Sequence, residues 1–160
     1  MNINQPAKQI SKLGLKVWRI TGVISSLILW GIAISIGVLV YVFDWSMWIT
    51  SIAAMLVFIF TIMSIFIIPS IRWSRWRYEV REQEIELQHG VFIITRTLVP
   101  MVRVQHVDTV QGPILRKYKL ASIQISTAAT NHEIPAIELE EAEELRRAIS
   151  KLARVAEDDV

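Results

Sequence analysis

Two residues have the types and spacing to do chemistry, His106 and Asp108. Two positions apart on a strand they would share a face, and a carboxylate beside an imidazole can orient it for base catalysis or for a metal. No third partner accompanies them. His89 and His132 fall in turn-like contexts without ligand spacing, no Gly-rich loop could cradle a phosphate, and no serine lies in a nucleophile elbow. The sequence has no cysteine, which removes disulfides, thiol nucleophiles and thiolate metal sites. The simpler reading is structural: His106 and Asp108 fix a local bulge and the Gly112-Pro113 turn by hydrogen bonding. No catalytic residue, metal or cofactor is expected.

The basic residues offer binding instead. Arg103, Arg116, Lys117 and Lys119 could form a patch for a protein partner or an anionic headgroup. A protein partner is the favoured reading, because a domain already tethered to a bilayer gains little from a second lipid contact. Nucleic acid is not expected: most of the remaining basic residues flank apolar segments and alternate with tryptophan, as beside lipid headgroups.

The elements that must position these residues begin with the membrane. From Ile20 to Ile71 the only formally charged side chain is Asp44. A charge in hydrocarbon costs several kcal/mol, so a bilayer imposes such a run and a soluble core does not. Ile20–Phe43 and Met47–Ile68 are each long enough, at about 1.5 Å per residue, to cross about 30 Å of hydrocarbon. Asp44-Trp45-Ser46 leaves room only for a tight turn, which puts both chain ends on one side. Lys8, Lys12, Lys16 and Arg19 precede the first span and Arg72, Arg75, Arg77 and Arg81 follow the second, so the positive-inside rule makes that side the cytoplasm of a multi-pass plasma-membrane protein. Trp18, Arg19, Arg72, Trp73, Arg75 and Trp76 are the expected anchors at the inner interface, and Trp45 and Trp48 at the outer one. Small residues four apart, Gly22 and Ser26, Gly31 and Ser35, Ala33 and Gly37, and Thr50 and Ala54, allow close helix packing, chiefly within the hairpin.

After Pro69 and the Arg72–Trp76 run the period changes from helical to alternating. Strands are expected at 76–80, 84–88, 91–99 and 101–110, the last with a bulge near Gln105-His106 because Val107 falls out of phase with Val102 and Val104. A helical turn at 114–118, a strand at 122–126 and a short strand at 133–134 follow. A helix over about 138–153 carries an apolar stripe of Ala142, Leu145, Ile149 and Leu152, suited to packing on the sheet. The segments are thus a basic tail (1–19), the hairpin (20–71), a mainly β domain with a C-terminal helix (72–155) and an acidic tail (156–160).

The run from Pro100 through Met101-Val102-Arg103-Val104-Gln105-His106-Val107-Asp108 to Gly112-Pro113-Ile114-Leu115-Arg116 resembles the membrane-flanked bacterial pleckstrin-homology-like family, specifically its short YdbS-like members. The resemblance covers nearly the whole chain. It implies a bent antiparallel sheet or partial barrel closed by a C-terminal helix, and a non-enzymatic role. It also implies pairing with a larger relative carrying several copies of the domain, and an association with tolerance to, or export of, membrane-active peptides. The leading expectation is a scaffold or binding subunit of a membrane complex, in contact with lipid and either a related membrane protein or a second copy of itself. The alternatives are a component of a peptide or lipid transport path and a headgroup-binding module.

Overall fold

The computed structural model describes the backbone of residues 5–158 and the side chains of 5–156. The chain divides into two compact units, Trp18–Ile71 and the combination of Met1–Val17 with Arg72–Val160.

The first unit is the helical hairpin. Helix α1 (Lys12–Val42) ends at a turn in which Asp44 takes a positive φ of 51°. Helix α2 (Trp48–Ile62) follows, then a single π-helical turn (Met63–Ile67), then α3 (Ile68–Arg75). Its surface is apolar, as lipid requires: Leu27, Ile34, Met55 and Leu56 are all exposed. The small residues divide by role. A Cβ on Gly22 would meet the Ser64 carbonyl oxygen at 2.5 Å, and one on Gly37 would meet Thr50 Cγ2 at 3.3 Å, whereas Gly31 has open space beside it. Ser26 and Ser64 share a hydrogen bond of 3.3 Å. Gly22, Ser26 and Gly37 therefore close the hairpin, while Gly31 does not.

The second unit is built from two antiparallel sheets. The first has the order β1 (Lys8–Gln9), β2 (Arg77–Val80), β3 (Glu84–His89), β4 (Thr95–Pro100). A 3₁₀ turn (Met101–Arg103) leads to the second sheet, β5 (Val104–Val110), β6 (Leu120–Thr127) and β7 (Asn131–Glu138), with α4 (Pro113–Lys117) between β5 and β6. Helix α5 (Leu139–Asp158) packs against β5 and the 3₁₀ turn, burying Ala142 and Ile149 of its apolar stripe. The core is aliphatic: Ile85, Leu87, Leu120, Ile123, Ile125, Ile134 and Ile137 are buried from both sheets.

Four expectations change. The N-terminal segment is not a separate tail: Lys8 pairs with Tyr78 and Gln9 with Arg77, and Leu13, Gly14 and Val17 pack among domain residues. The third strand begins at Thr95, because Gly90 at φ 136° turns the chain out into a loop over Val91–Ile94. The fourth begins at Val104, because the Met101 N–H donates to the Gln83 carbonyl and its side chain is buried as the turn. The short strand at Ile134 extends over eight residues; a register shift between Ala121 and Ile123 accommodates Pro135 and leaves Ala136 at φ 52°. The bulge near Gln105-His106 is present, as a register shift between Val104 and His106. The expected acidic tail falls partly outside the described residues, with α5 running through Asp158.

Tyr78 ties the two ends of the domain's sequence together. Its O–H donates to Glu141 Oε1 at 3.0 Å, and the same oxygen accepts from Lys8 Nζ at 2.9 Å. Burial, reinforced by the Glu141 carboxylate, pushes the phenol pKa up. The unfolded chain releases this proton near pH 10 while the folded chain retains it, so the contribution is intact below about pH 10 and is lost as pH rises beyond it. Tyr78→Phe is expected to cost about 1 kcal/mol at neutral pH and to reduce that alkaline loss, as read by thermal unfolding against pH.

Candidate functional site

Strand β5 separates the basic residues that the sequence suggested as one patch. Arg103 lies immediately before it in the 3₁₀ turn, whereas Arg116 and Lys117 lie on α4 beyond its other end, with Lys119 following at φ 53°. Seven residues of strand span about 20 Å at about 3.3 Å each. All four side chains are exposed, but they form two sites rather than one.

The Arg103 end is a groove. Sheet order leaves β4 at the edge of the first sheet and β5 at the edge of the second, with no pairing between them among the described residues. An open cavity of about 930 Å³ lies there, lined by Leu98, Val102, Arg103, Gln105, His106 and His132 among others. Leu98 and Val102 are exposed at 56% and 49%, so its floor is partly apolar. His132, expected in a loop, stands on β7 opposite Ile125.

The other end is basic and close to the start of α1. Ile114, Leu115 and Tyr118 pack in one cluster with Leu13, Val17, Leu120 and Ala136. The neighbouring Lys12 and Lys16 on α1, and Arg116 and Lys117 on α4, remain exposed.

His106 and Asp108 share an exposed face of β5, opposite Ser126 and Gln124, because the bulge precedes both. No group of three or more possible metal ligands occurs among the described residues. His106 lines the groove, while Asp108 lies two residues further along β5.

The expected interface anchors separate similarly. Trp45 and Trp48 are exposed at the hairpin turn, Trp18 is half-buried, and Arg19 Nη2 lies 3.5 Å from Ser70 Oγ. Arg72 is exposed. Trp73 donates its indole N–H to the Ser11 carbonyl at 3.2 Å, and Arg75 donates to the Val91 carbonyl. Trp76 is not an interface anchor: it is 5% exposed and stacks on His89, with ring centroids 5.7 Å apart. Trp73, Arg75 and Trp76 are thus bonded within the domain.

Sequence reasoning missed an ion cluster on the first sheet. Arg81 bridges Glu79, Glu84 and Glu86, and Arg96 reaches Glu86 at 2.8 Å. The Arg81 hydrogen bond holds the Glu79 carboxyl below its usual range. The alternating Glu79, Glu84 and Glu86 were visible, but pairing each with its arginine requires the register.

The family model described as Bacterial PH domain matches residues 13–153, hairpin and domain together. The chain is 54% identical over 156 residues to UPF0699 transmembrane protein YdbS of Bacillus subtilis (strain 168), covering 98% of each. It is 31% identical over 85 residues to UPF0699 transmembrane protein YdbT of the same organism, covering 51% of this chain and 17% of that relative. No solved structure gives a significant match.

Proposed function

The chain belongs to the bacterial PH domain family, and from this we propose that it is a non-catalytic binding subunit of a membrane complex, docking a related PH-like domain along the groove beside Arg103. The observation that carries the reading is the groove itself, bounded by two unpaired sheet edges and partly apolar. Free edges supply main-chain hydrogen bonds to an added segment, and side chains such as Leu98 and Val102 select it. The hairpin confines the domain to two dimensions, which raises the effective concentration of any membrane-bound partner, so a modest interface suffices. The longer relative, of which this chain matches 17%, has length to spare for further copies and is the kind of partner intended. A second copy of this chain is the alternative occupant.

In this reading both termini are cytoplasmic, which the positive-inside charges support. The complex would serve tolerance to, or export of, membrane-active peptides, with the partner supplying any conduit because the two spans have no polar stripe beyond small Ser and Thr residues. Headgroup binding is a second reading for the other end of β5, favoured by Arg116 and Lys117 standing beside the start of α1 with Lys12 and Lys16 exposed.

The test is recovery of partners with tagged full-length protein in mild detergent. Arg103→Glu is expected to lower recovery of a PH-like membrane partner about tenfold, equivalent to about 1.4 kcal/mol. Arg116→Glu should keep the partner while reducing copurified anionic lipid. Unchanged recovery with Arg103→Glu retires the groove as the interface.

A further inference from the structure

We infer that the loop Val91–Ile94 between β3 and β4 is a second membrane contact, its Phe92-Ile93 tip seated in the interfacial layer of the leaflet on the domain's side. Phe92 is 84% exposed, Ile93 81% and Ile94 51%. Three consecutive large apolar residues on a loop tip are a liability in water and an anchor in the headgroup–acyl boundary.

The strand register gives the loop its direction. Gln9 pairs with Arg77, Arg77 with Gln88, and His89 with Thr95, so these residues stand at one end of the first sheet. Both connections to the hairpin leave from that end: Gln9 shortly before α1 begins at Lys12, and Arg77 two residues after α3 ends at Arg75. The 90–94 loop emerges there as well. It is also held in place. Arg75 donates to the Val91 carbonyl, His89 stacks on Trp76, and Gly90 adopts φ 136° in a turn so tight that a Cβ there would meet the Ile93 carbonyl oxygen at 1.8 Å. Arg75 is only four residues beyond Ile71, the last residue of the apolar run, or about 6 Å of helix.

Size and charge favour lipid over protein. A tip of three side chains falls far short of the roughly 800 Å² per partner of a stable protein interface. Interfacial insertion sets no such minimum, and Arg75 and Arg77, at the loop's end of the sheet, suit anionic headgroups. The inference is independent of what occupies the groove.

The chain has no cysteine, so full-length protein carrying only Ile93→Cys can be labelled with an environment-sensitive nitrobenzoxadiazole probe and reconstituted in vesicles of phosphatidylcholine and phosphatidylglycerol. Gln83→Cys, in the turn at the opposite end of the same sheet, is the aqueous reference, and Met55→Cys in the second span is the deep one. The expected result at position 93 is blue-shifted emission, severalfold weaker quenching by aqueous iodide than at 83, and quenching by a shallow nitroxide lipid. Phe92→Asp in the same labelled protein should restore iodide access. Iodide access at 93 equal to that at 83 overturns the inference. So does protection from both quenchers, which would mean that protein covers the loop.

Discussion

Adding one methyl group at Gly14 is expected to destabilise the domain, and removing one at Ala136 is expected to restore it. A Cβ built on Gly14 lies 2.6 Å from Ala136 Cβ, far inside the 3.5–4.0 Å at which carbon atoms attract. Ala136 cannot easily give way. It is 1% exposed, sits at φ 52°, and its carbonyl accepts the Ser11 N–H at 3.1 Å. Overpacking of this kind costs roughly 1–3 kcal/mol, so Gly14→Ala should lower the unfolding midpoint by several degrees. Once Ala136→Gly is added, the nearest atoms to the new methyl are the residue-136 carbonyl oxygen at 3.8 Å and Cα at 4.0 Å, which is ordinary contact. Glycine at 136 also removes the cost of a left-handed conformation, roughly 1–2 kcal/mol, and alanine exceeds glycine in helix propensity by up to about 1 kcal/mol. The double variant should therefore match or exceed the parent. Thermal unfolding of the full-length protein in detergent, followed by tryptophan fluorescence, measures all four corners; strictly additive losses would refute the contact as the cause.

That contact also marks where the sequence stopped being legible. The hairpin could be read because lipid forbids charge over a long stretch and Asp44 interrupts it at one place. Strands β2, β3 and β6 could be read because alternation is a local property, and the bulge before His106 because Val107 breaks that alternation. Strand β1 could not: Lys8 and Gln9 have no pattern of their own and are strand only because Tyr78 and Arg77, on the far side of the hairpin, pair with them. The Phe92–Ile94 run imitates a strand because apolar and β-branched residues suit one, and only the backbone at Gly90 turns it into a loop. Pro135 concealed most of β7 in the same way, since a proline reads as a strand's end unless a bulge frees it of the ladder.

The candidate site was legible by residue type but not by grouping. Arg103 and Arg116 stand at opposite ends of β5, so closeness in sequence was a poor guide to closeness in space. Trp76 looked like its neighbour Trp73, yet strand pairing begins at Arg77 and turns Trp76 into the domain, onto His89.

Removing the charge of Arg96 should be the most costly loss of an ion-pair partner of Glu86, and removing Glu86 as well should recover much of the loss. Glu86 stands on the central strand pair with its side chain 11% exposed, accepting from Arg96 at 2.8 Å and from Arg81 at 3.2 Å. The two arginines are unequal partners, since Arg96 is 26% exposed and Arg81 45%. A pair in water is screened and contributes little, so Arg81→Met should leave stability almost unchanged. Breaking a fully buried pair costs about 3–5 kcal/mol, because the remaining charge has lost its water and its partner. Arg96→Met keeps the side chain's length, and Glu86 retains Arg81, so the expected loss is about 2–4 kcal/mol. Replacing both, as Glu86→Leu with Arg96→Met, leaves no buried carboxylate to compensate and sets an apolar side chain opposite Leu98, the cross-strand partner of residue 86. Its cost should fall below that of Arg96→Met alone, as measured by denaturant midpoints at constant slope. A double variant as unstable as the sum of the two single ones would mean that Arg96 acts through the packing of its stem and not through Glu86.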